Sequence, residues 1–131
     1  MPARWCGGLR PGTEDTPLPA YVTAEYLAAL TLRGGCGSGE PEDRCAIQEE
    51  RAWLGLDPRS DEIPPCTSEV IGRLVIRVQD ARADWRAEIR GLLPALVGSR
   101  GSAALEERRT WRLVDWSIRE ALPAGVEVLA A

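Results

Sequence analysis

The chain has 131 residues, with 16 basic and 20 acidic side chains and a formal net charge of −4. All the basic residues are arginine, and histidine, lysine, phenylalanine and asparagine are absent. These absences exclude catalysis by imidazole, a Cys₂His₂ zinc finger, lysine Schiff-base chemistry and a Walker A phosphate loop.

The length suits one domain, and 44% apolar with 27% charged residues is close to the globular average. No apolar run reaches the roughly 18 residues that a membrane-spanning helix needs, and the N-terminus lacks the apolar segment of a secretion signal. We therefore expect a cytoplasmic protein with reduced thiols and no membrane partner. Residues 1–66 hold six arginines against eleven acids, and residues 67–131 hold ten against nine. Neither half is strongly basic, so we expect no nucleic-acid partner.

The N-terminal part of the chain predicts an irregular arm followed by helices. Residues 1–20 are rich in glycine and proline, which predicts the arm, and residues 21–131 are expected to form one helical domain. Thr23 is a suitable N-cap for a first helix that ends before the glycine-rich loop. Pro41 suits the first turn of a second helix, which should run to about Leu54.

The middle of the chain predicts two further helices. Thr67 or Ser68 can cap a third helix that extends through Asp80. The β-branched residues near Val75 would also suit a strand, but an apolar stripe at helical spacing favours a helix. A fourth helix is predicted from about Asp84 to Leu93, where Pro94 should stop it, and Pro94 to Gly101 could add one more turn.

The last predicted helix runs from Ser102 to Leu122. Trp111, Val114 and Ile118 recur at helical spacing, and Pro123 followed by a glycine should end the helix. The sequence thus predicts an all-α fold, a compact bundle of five to six helices with the last helix central.

Four cysteines raise the question of a metal or thiol site. Cys6, Cys36, Cys45 and Cys66 include no closely spaced pair, which zinc sites of this kind generally use. A thiol near a helix N-terminus can be reactive, but no histidine is present to serve as its base. We expect small thiols that fill gaps between helices, whose state as free, disulfide-bonded or metal-bound the sequence leaves open.

Three carboxylates on three predicted helices are candidates for a ligand site. Glu49 shares a helical face with Trp53, Asp80 ends the third helix, and Asp115 lies on the last one. Carboxylates that converge in a helical bundle can bind a divalent metal, but the usual di-iron pattern needs a histidine that this chain lacks. The alternative is ordinary ion pairing, as between Asp115 and Arg119.

Two tryptophans are candidates for a contact surface. Trp111 and Trp116 are five residues apart and cannot both face one narrow core stripe, so one is expected to fill the core and the other to lie at its edge beside an arginine. Tryptophan with arginine is the composition of an interaction hot spot, although it also suits the rim of a domain. Trp5 lies in the predicted arm, where a tryptophan is useful if it docks on its own domain or on a partner.

Residues 45–119 resemble small uncharacterised helical proteins of GC-rich bacteria and phages. The matching pieces are Cys45 to Glu49, Asp61, Pro65-Cys66, the third helix ending in Asp80, Pro94 to Ser99, Arg109 and Leu113 to Arg119. The resemblance implies no substrate, but it directs attention to a polar set made of Gln48, Glu49, Asp80, Asp115 and Arg119.

Taken as a whole, the sequence predicts a non-catalytic helical interaction module, without cofactor or metal, that self-associates or binds a protein partner. Its predicted binding residues are Trp5, Trp116 and the polar set. The alternative is a carboxylate-based metal or ligand-binding domain, which would include an enzyme.

Overall fold

The computed structural model describes residues 18–130, and every regular element in that range is helical. The predicted all-α fold of five to six helices is confirmed, whereas Trp5, Cys6 and most of the predicted arm lie outside the described residues. In residues 18–130, no helix is both long enough and apolar enough to cross a membrane. The α-helices are α1 (Ala24–Ala29), α2 (Ala46–Trp53), α3 (Glu69–Ala81), α4 (Arg86–Leu96), α5 (Ala103–Trp116) and α6 (Leu122–Ala130).

The chain divides into two compact units, where the sequence predicts one domain over residues 21–131. The first unit ends at Arg100, and the second begins at Gly101. The first contains α1 to α4, and the second contains α5 and α6.

Two of the predicted helix starts in the first unit are confirmed by their caps. The Thr23 hydroxyl accepts a hydrogen bond from the Tyr26 N–H (3.2 Å), and Ser68 does the same for the Ile71 N–H (3.3 Å). A hydroxyl at this position satisfies one of the backbone donors that a helix leaves unpaired at its N-terminus.

The second helix begins five residues later than predicted. Residues 40–43 form a turn, in which the Asp43 N–H donates to the Glu40 carbonyl, and α2 begins after Cys45. The Gln48 side chain accepts from the Cys45 N–H (3.0 Å) and thereby caps α2 in place of the predicted proline.

The predicted end of the fourth helix at Leu93 is wrong. A 3₁₀ turn (Ala83–Trp85) leads into α4, which continues through Pro94 to Leu96. Leu93 and Leu96 are both buried, on either side of the proline. Burial of these two leucines stabilises the last turn by about 1.5–3 kcal/mol each, which offsets a proline cost of about 3 kcal/mol.

The hydrophobic core of the first unit forms where α2 and α4 contact each other and pack with α1 and α3. Its large buried apolar side chains are Leu30, Leu32, Ile47, Trp53, Ile89, Leu93 and Leu96.

The prediction that the last helix is central is wrong, and so is its predicted end at Leu122. All buried residues of the described part precede Gly101. The second unit is a continuous helix in which a π-helical turn (Ser117–Ala121) joins α5 to α6. Within this turn the Leu122 N–H donates to the Ser117 carbonyl, five residues back. Such a wide turn accommodates the ring of Pro123, which would clash with a carbonyl of a regular α-helix, so the helix continues to Ala130.

Candidate functional site

The strongest concentration of polar chemistry in the first unit is buried in α2. Five consecutive residues, Ala46 to Glu50, have no exposed surface. A helix of a small domain normally has a solvent-facing side, so a fully buried turn that includes two glutamates needs internal partners. The buried polar residues of the described part, which we call the polar cluster, are Gln48, Glu49, Glu50, Thr67, Ser68 and Gln79.

Glu49 has three donors. One carboxylate oxygen, Oε1, accepts from the Tyr26 hydroxyl and from the Trp53 indole N–H (3.0 Å). The other, Oε2, accepts from the Arg44 guanidinium (3.3 Å). Burial, followed by the hydrogen bond to Glu49, raises the pKa of Tyr26 to about 12. These contacts satisfy the buried carboxylate and tie α1 and Arg44 to α2, as a structural ion pair does.

Gln48 holds the glycine-rich loop over residues 34–39. Its carbonyl oxygen accepts from the Gly37 N–H (2.7 Å), in addition to the Cys45 N–H described above. Its amide N–H donates to the Gly37 carbonyl (2.9 Å). Both backbone groups of Gly37 are therefore paired with one side chain, which fixes the loop on α2.

The end of α3 holds the same region from the other side. The Gln79 side chain accepts from the Ala46 N–H (2.9 Å), and the Asp80 carboxylate accepts from the Gly35 N–H (2.7 Å). The structure thus brings together Gln48 and Asp80, two of the predicted residues, around one loop. Both side chains form hydrogen bonds with backbone groups of the loop and so fix its conformation.

Glu50 is the exception in the polar cluster. Its Oε1 accepts from the Thr67 hydroxyl, and its Oε2 is the one buried side-chain oxygen of the described residues that has no hydrogen-bond partner. Burial raises the pKa of Glu50 to about 7, against the opposing effects of Thr67 and Arg51. A carboxyl in an apolar setting favours its neutral form for this reason.

The described residues contain no group of three side chains of the types that hold a metal ion. Glu49 and Asp80 belong to the first unit and are engaged as described, and Asp115 belongs to the second. Cys36 is exposed, and Cys45 and Cys66 are buried. Burial raises the pKa of Cys45, which opposes formation of its thiolate.

The remaining predicted residues lie on α5 and the π-helical turn. Asp115 and Arg119 form an exposed ion pair (2.6 Å), as the spacing indicates, and Trp116 is exposed over 53% of its surface. Trp111 is 64% exposed, so it does not fill the core.

Sequence reasoning missed several members of the polar cluster and several exposed apolar residues of the C-terminal helix. Glu50, Thr67 and Gln79 carry no local signal of burial, because their partners lie 17 to 33 residues away. The exposed apolar residues beyond Pro123 did have a signal, since they continue the apolar pattern of α5. The helix end predicted at Pro123 leaves them outside the predicted helix. They are Val126, Val128 and Leu129.

Comparison with known proteins adds no assignment. No protein-family model matches the chain, and no curated protein or solved structure does so either. The resemblance to small helical proteins of GC-rich bacteria and phages stays a prediction.

Proposed function

We propose that this protein is a small non-catalytic interaction module that binds an amphipathic helix of another polypeptide through its C-terminal helix, residues 103–130. The observation that carries the proposal is a set of large apolar side chains that this helix exposes to solvent. They are Trp111, Val114, Trp116, Ile118, Leu122, Val126, Val128 and Leu129, with exposed fractions from 40% to 88%.

The apolar side chains of α5 form a stripe with a defined direction. Trp111, Val114 and Ile118 follow an i, i+3, i+7 spacing, which places them on one face. Leu105 and Leu113 are half-buried and fall on the other side of the helix. A long apolar stripe at this spacing is complementary to the stripe of another helix, as in helix-in-groove recognition and coiled coils.

Arginine accompanies tryptophan on this surface. Arg108, Trp111, Arg112 and Asp115 line an open groove of about 350 Å³ on α5. Tryptophan and arginine are the residues that most often contribute strongly to binding, and a groove beside them receives a partner's side chain.

The composition of the second half of the helix also favours burial against a partner. Residues 122–130 carry one charged side chain, Glu127, and include Pro123 and Gly125. Proline costs about 3 kcal/mol and glycine about 1 kcal/mol in a helix interior, so packing against a partner would stabilise this segment.

The alternative of a carboxylate-based metal or ligand site has no observation in its favour among residues 18–130. Glu49, Asp80 and Asp115 are each engaged with a neighbouring group. For the location we propose the cytoplasm, supported by the free thiols of Cys36 and Cys45, which are typical of a reducing compartment.

Site-specific photo-crosslinking tests the proposal. The photoreactive residue benzoylphenylalanine would replace Trp111 in the full chain, in the cells that make it, and would replace exposed Arg77 of α3 as the matched control. We expect a discrete polypeptide adduct from position 111 and none from position 77. Ile118→Asp should abolish that adduct while the circular dichroism of the purified chain still shows helix. An equal yield of adducts from both positions, or no adduct from position 111, contradicts the proposal.

A further inference from the structure

We infer that the first unit binds the phosphate group of a small, soluble phosphate monoester in a pocket that contains Arg86, Arg90 and Thr31. The pocket lies where the start of α4 meets the chain that follows α1. It belongs to the first unit and does not include the C-terminal helix, so this inference goes beyond the proposed function.

The pocket has a volume of about 210 Å³ and lies at the N-terminal end of α4. Its polar side chains are Thr31, Arg86 and Arg90, and no acidic residue lines it. The two arginines are four residues apart and therefore project from one face of α4. The N-terminal end of a helix also attracts negative charge, so every electrostatic contribution from the lining of the pocket favours an anion.

Both guanidinium groups are held in place by backbone carbonyls. Arg86 Nε donates to the Gln79 carbonyl (3.0 Å), and Arg90 Nη1 donates to the Leu30 carbonyl (3.1 Å). Both arginines are half-buried, and neither forms an ion pair within residues 18–130. A carbonyl carries no net charge, so the partial burial of these two cations is not compensated. Their remaining N–H donors have the planar geometry that matches the oxygens of a phosphate.

The acidic residues near the two arginines are paired or project elsewhere. Glu88 is two residues from each arginine, which places it on the opposite side of α4. Asp84 pairs with Arg82 (2.6 Å), and the Asp80 carboxylate accepts from the Gly35 N–H. Two further acids of neighbouring segments do not line the pocket, namely Glu25 and Glu42. A counter-ion for the two arginines therefore has to come from outside the described residues.

The charge of the pocket and an adjoining groove define the class of anion. Two uncompensated positive charges match a phosphate monoester, whose charge is about −1.5 to −2 at neutral pH, better than a singly charged carboxylate. A groove of about 270 Å³ adjoins the pocket, since Ala87 and Arg90 line both. The other residues of the groove carry no charge and are Ala24, Leu27, Ala28 and Gly91. The organic group of the ligand is therefore expected to be small and apolar.

Titration calorimetry of the full chain with phenyl phosphate, at about pH 7.5 and low ionic strength, tests the inference. We expect one saturable site with a Kd below about 1 mM. Arg90→Gln should increase this Kd at least about tenfold, because it removes one of the two charges. Arg77→Gln is the matched control, an exposed arginine of α3 that does not line the pocket, and should change the Kd less than about twofold. Equal effects of the two substitutions would indicate non-specific attraction of anions and overturn the inference.

A second variant keeps both arginines, since Arg90 also holds the Leu30 carbonyl. Ala87→Glu places a carboxylate in the pocket, where it competes with phosphate for the guanidinium groups. Its Kd for phenyl phosphate should be at least about tenfold higher than that of Ala87→Gln, which has a side chain of the same length without the charge. Its melting temperature should be no lower than that of the glutamine variant. Equal binding of phenyl phosphate by the two variants would overturn the inference.

Three probes determine the class of ligand. Phenyl phosphate should bind at least about tenfold more tightly than benzoate, which has a single charge, and than inorganic phosphate, which has no apolar group. Benzoate that binds as tightly overturns the choice of phosphate, and inorganic phosphate that binds as tightly overturns the apolar organic group. Binding only to vesicles that contain phosphatidic acid would overturn a soluble ligand.

The chain's own acidic residues before position 18 are the remaining occupant to be tested. If the natural chain binds no phenyl phosphate but the Glu14→Gln/Asp15→Asn variant does, these carboxylates fill the pocket and the inference is overturned. Crosslinking from position 111 does not depend on any of these measurements, so this inference and the proposed function fail separately.

Discussion

Glu49 and Glu50 are adjacent in sequence and equally buried, but they differ in how many hydrogen-bond donors contact them. Glu49 has three donors, including a guanidinium, whereas Glu50 has the Thr67 hydroxyl on one oxygen and no partner on the other. A buried carboxylate with a cation and hydrogen bonds is held in its charged form, and one without them favours the neutral form. Loss of the negative charge should therefore have opposite effects at the two positions.

We expect Glu50→Gln to stabilise the protein at alkaline pH. The pKa of Glu50 is about 7 in the folded chain, above its ordinary value of 4.5. The stability contributed by the neutral carboxyl is therefore fully present below about pH 4.5 and is lost as the pH rises through 7. Above pH 8 the glutamine variant should unfold with a free energy higher by up to about 3 kcal/mol, and near pH 4 the two should agree. Urea titrations at several pH values measure the difference.

Glu49→Gln is the matched control, and at pH 8 it should destabilise the protein. The change leaves the largely buried Arg44 without its carboxylate, which typically costs about 3–5 kcal/mol. Equal effects of the two substitutions would contradict the assignment of separate roles.

At the scale of single residues, the sequence predicts candidate site residues but does not identify their hydrogen-bond partners. Gln48, Glu49 and Asp80 were among the predicted residues, and all three are engaged in hydrogen bonds of the first unit. Their partners Gly37, Tyr26 and Gly35 are 11 to 45 residues away. Contacts of that range depend on how helices pack, which one sequence does not reveal.

Among the structural elements, the loop over residues 34–39 has a conformation that requires a glycine at position 37. Gly37 lies so close to the backbone of Asp43 that an added Cβ would be 2.1 Å from the Asp43 carbonyl oxygen. That approach lets Gln48 reach both polar groups of Gly37. The glycine is needed here for space, since a backbone neighbour cannot move aside as a flexible side chain can.

We expect Gly37→Ala to destabilise the first unit by about 2–4 kcal/mol, through the steric clash and the loss of the Gln48 hydrogen bonds. Gly91→Ala in α4 is the control, because a Cβ there meets no atom within 4 Å. It should stabilise by about 0.5–1 kcal/mol, as alanine does in a helix. Thermal or urea unfolding gives both values, and a stable Gly37→Ala variant would show that the loop is not held as described.

The π-helical turn before Pro123 gives a second prediction at this scale. Pro123→Ala restores a backbone N–H and removes the ring that needs a wide turn, so local helix stability should increase by up to about 3 kcal/mol. Hydrogen exchange of the amides of residues 117–127 should slow accordingly. Gly125→Ala, where a Cβ also meets nothing, should slow exchange by the smaller amount expected from about 1 kcal/mol. Unchanged exchange in both variants would contradict a helix that continues to Ala130.

The helices themselves were predictable, and their ends were less so. Periodicity and the caps at Thr23 and Ser68 located the helices correctly. Pro94 and Pro123 predict helix ends, yet both lie inside helical segments. A proline adds a free-energy cost to continuing a helix, but buried leucines or a wide turn can offset that cost. The local sequence does not show whether such an offset is present.

For the whole molecule, the division after Arg100 is the main feature. Every buried residue of the described part lies before it, and the last two residues of the first unit hold the start of α3. The Ser99 hydroxyl accepts from the Ser68 N–H (2.9 Å). Arg100 donates to the carbonyls of Cys66 (2.9 Å) and Pro65 (3.0 Å).

We therefore expect a chain that ends at Arg100 to fold cooperatively, with a melting temperature within a few degrees of the full chain. A chain that ends at Gly98 loses the three hydrogen bonds that link Ser99 and Arg100 to residues 65–68. It should be less stable than the longer truncation by about 3 kcal/mol, at about 1 kcal/mol for each bond. Calorimetry of the two truncations measures this difference. Two equally stable truncations, or two that fail to fold, would contradict it.

The buried turn of α2 also affects how related sequences would be read. Ala46 to Glu50 have no exposed surface, so each position accepts few substitutions without a loss of stability. In an alignment of relatives, the stretch Gln48-Glu49-Glu50 would then be strongly conserved, and two invariant glutamates beside a glutamine resemble the signature of a hydrolase or a metal enzyme. Selection for folding alone is sufficient to produce that pattern. A search for function guided by invariant acidic residues would select α2. The contact surface proposed here instead lies on the C-terminal helix, whose apolar positions can exchange among leucine, isoleucine and valine.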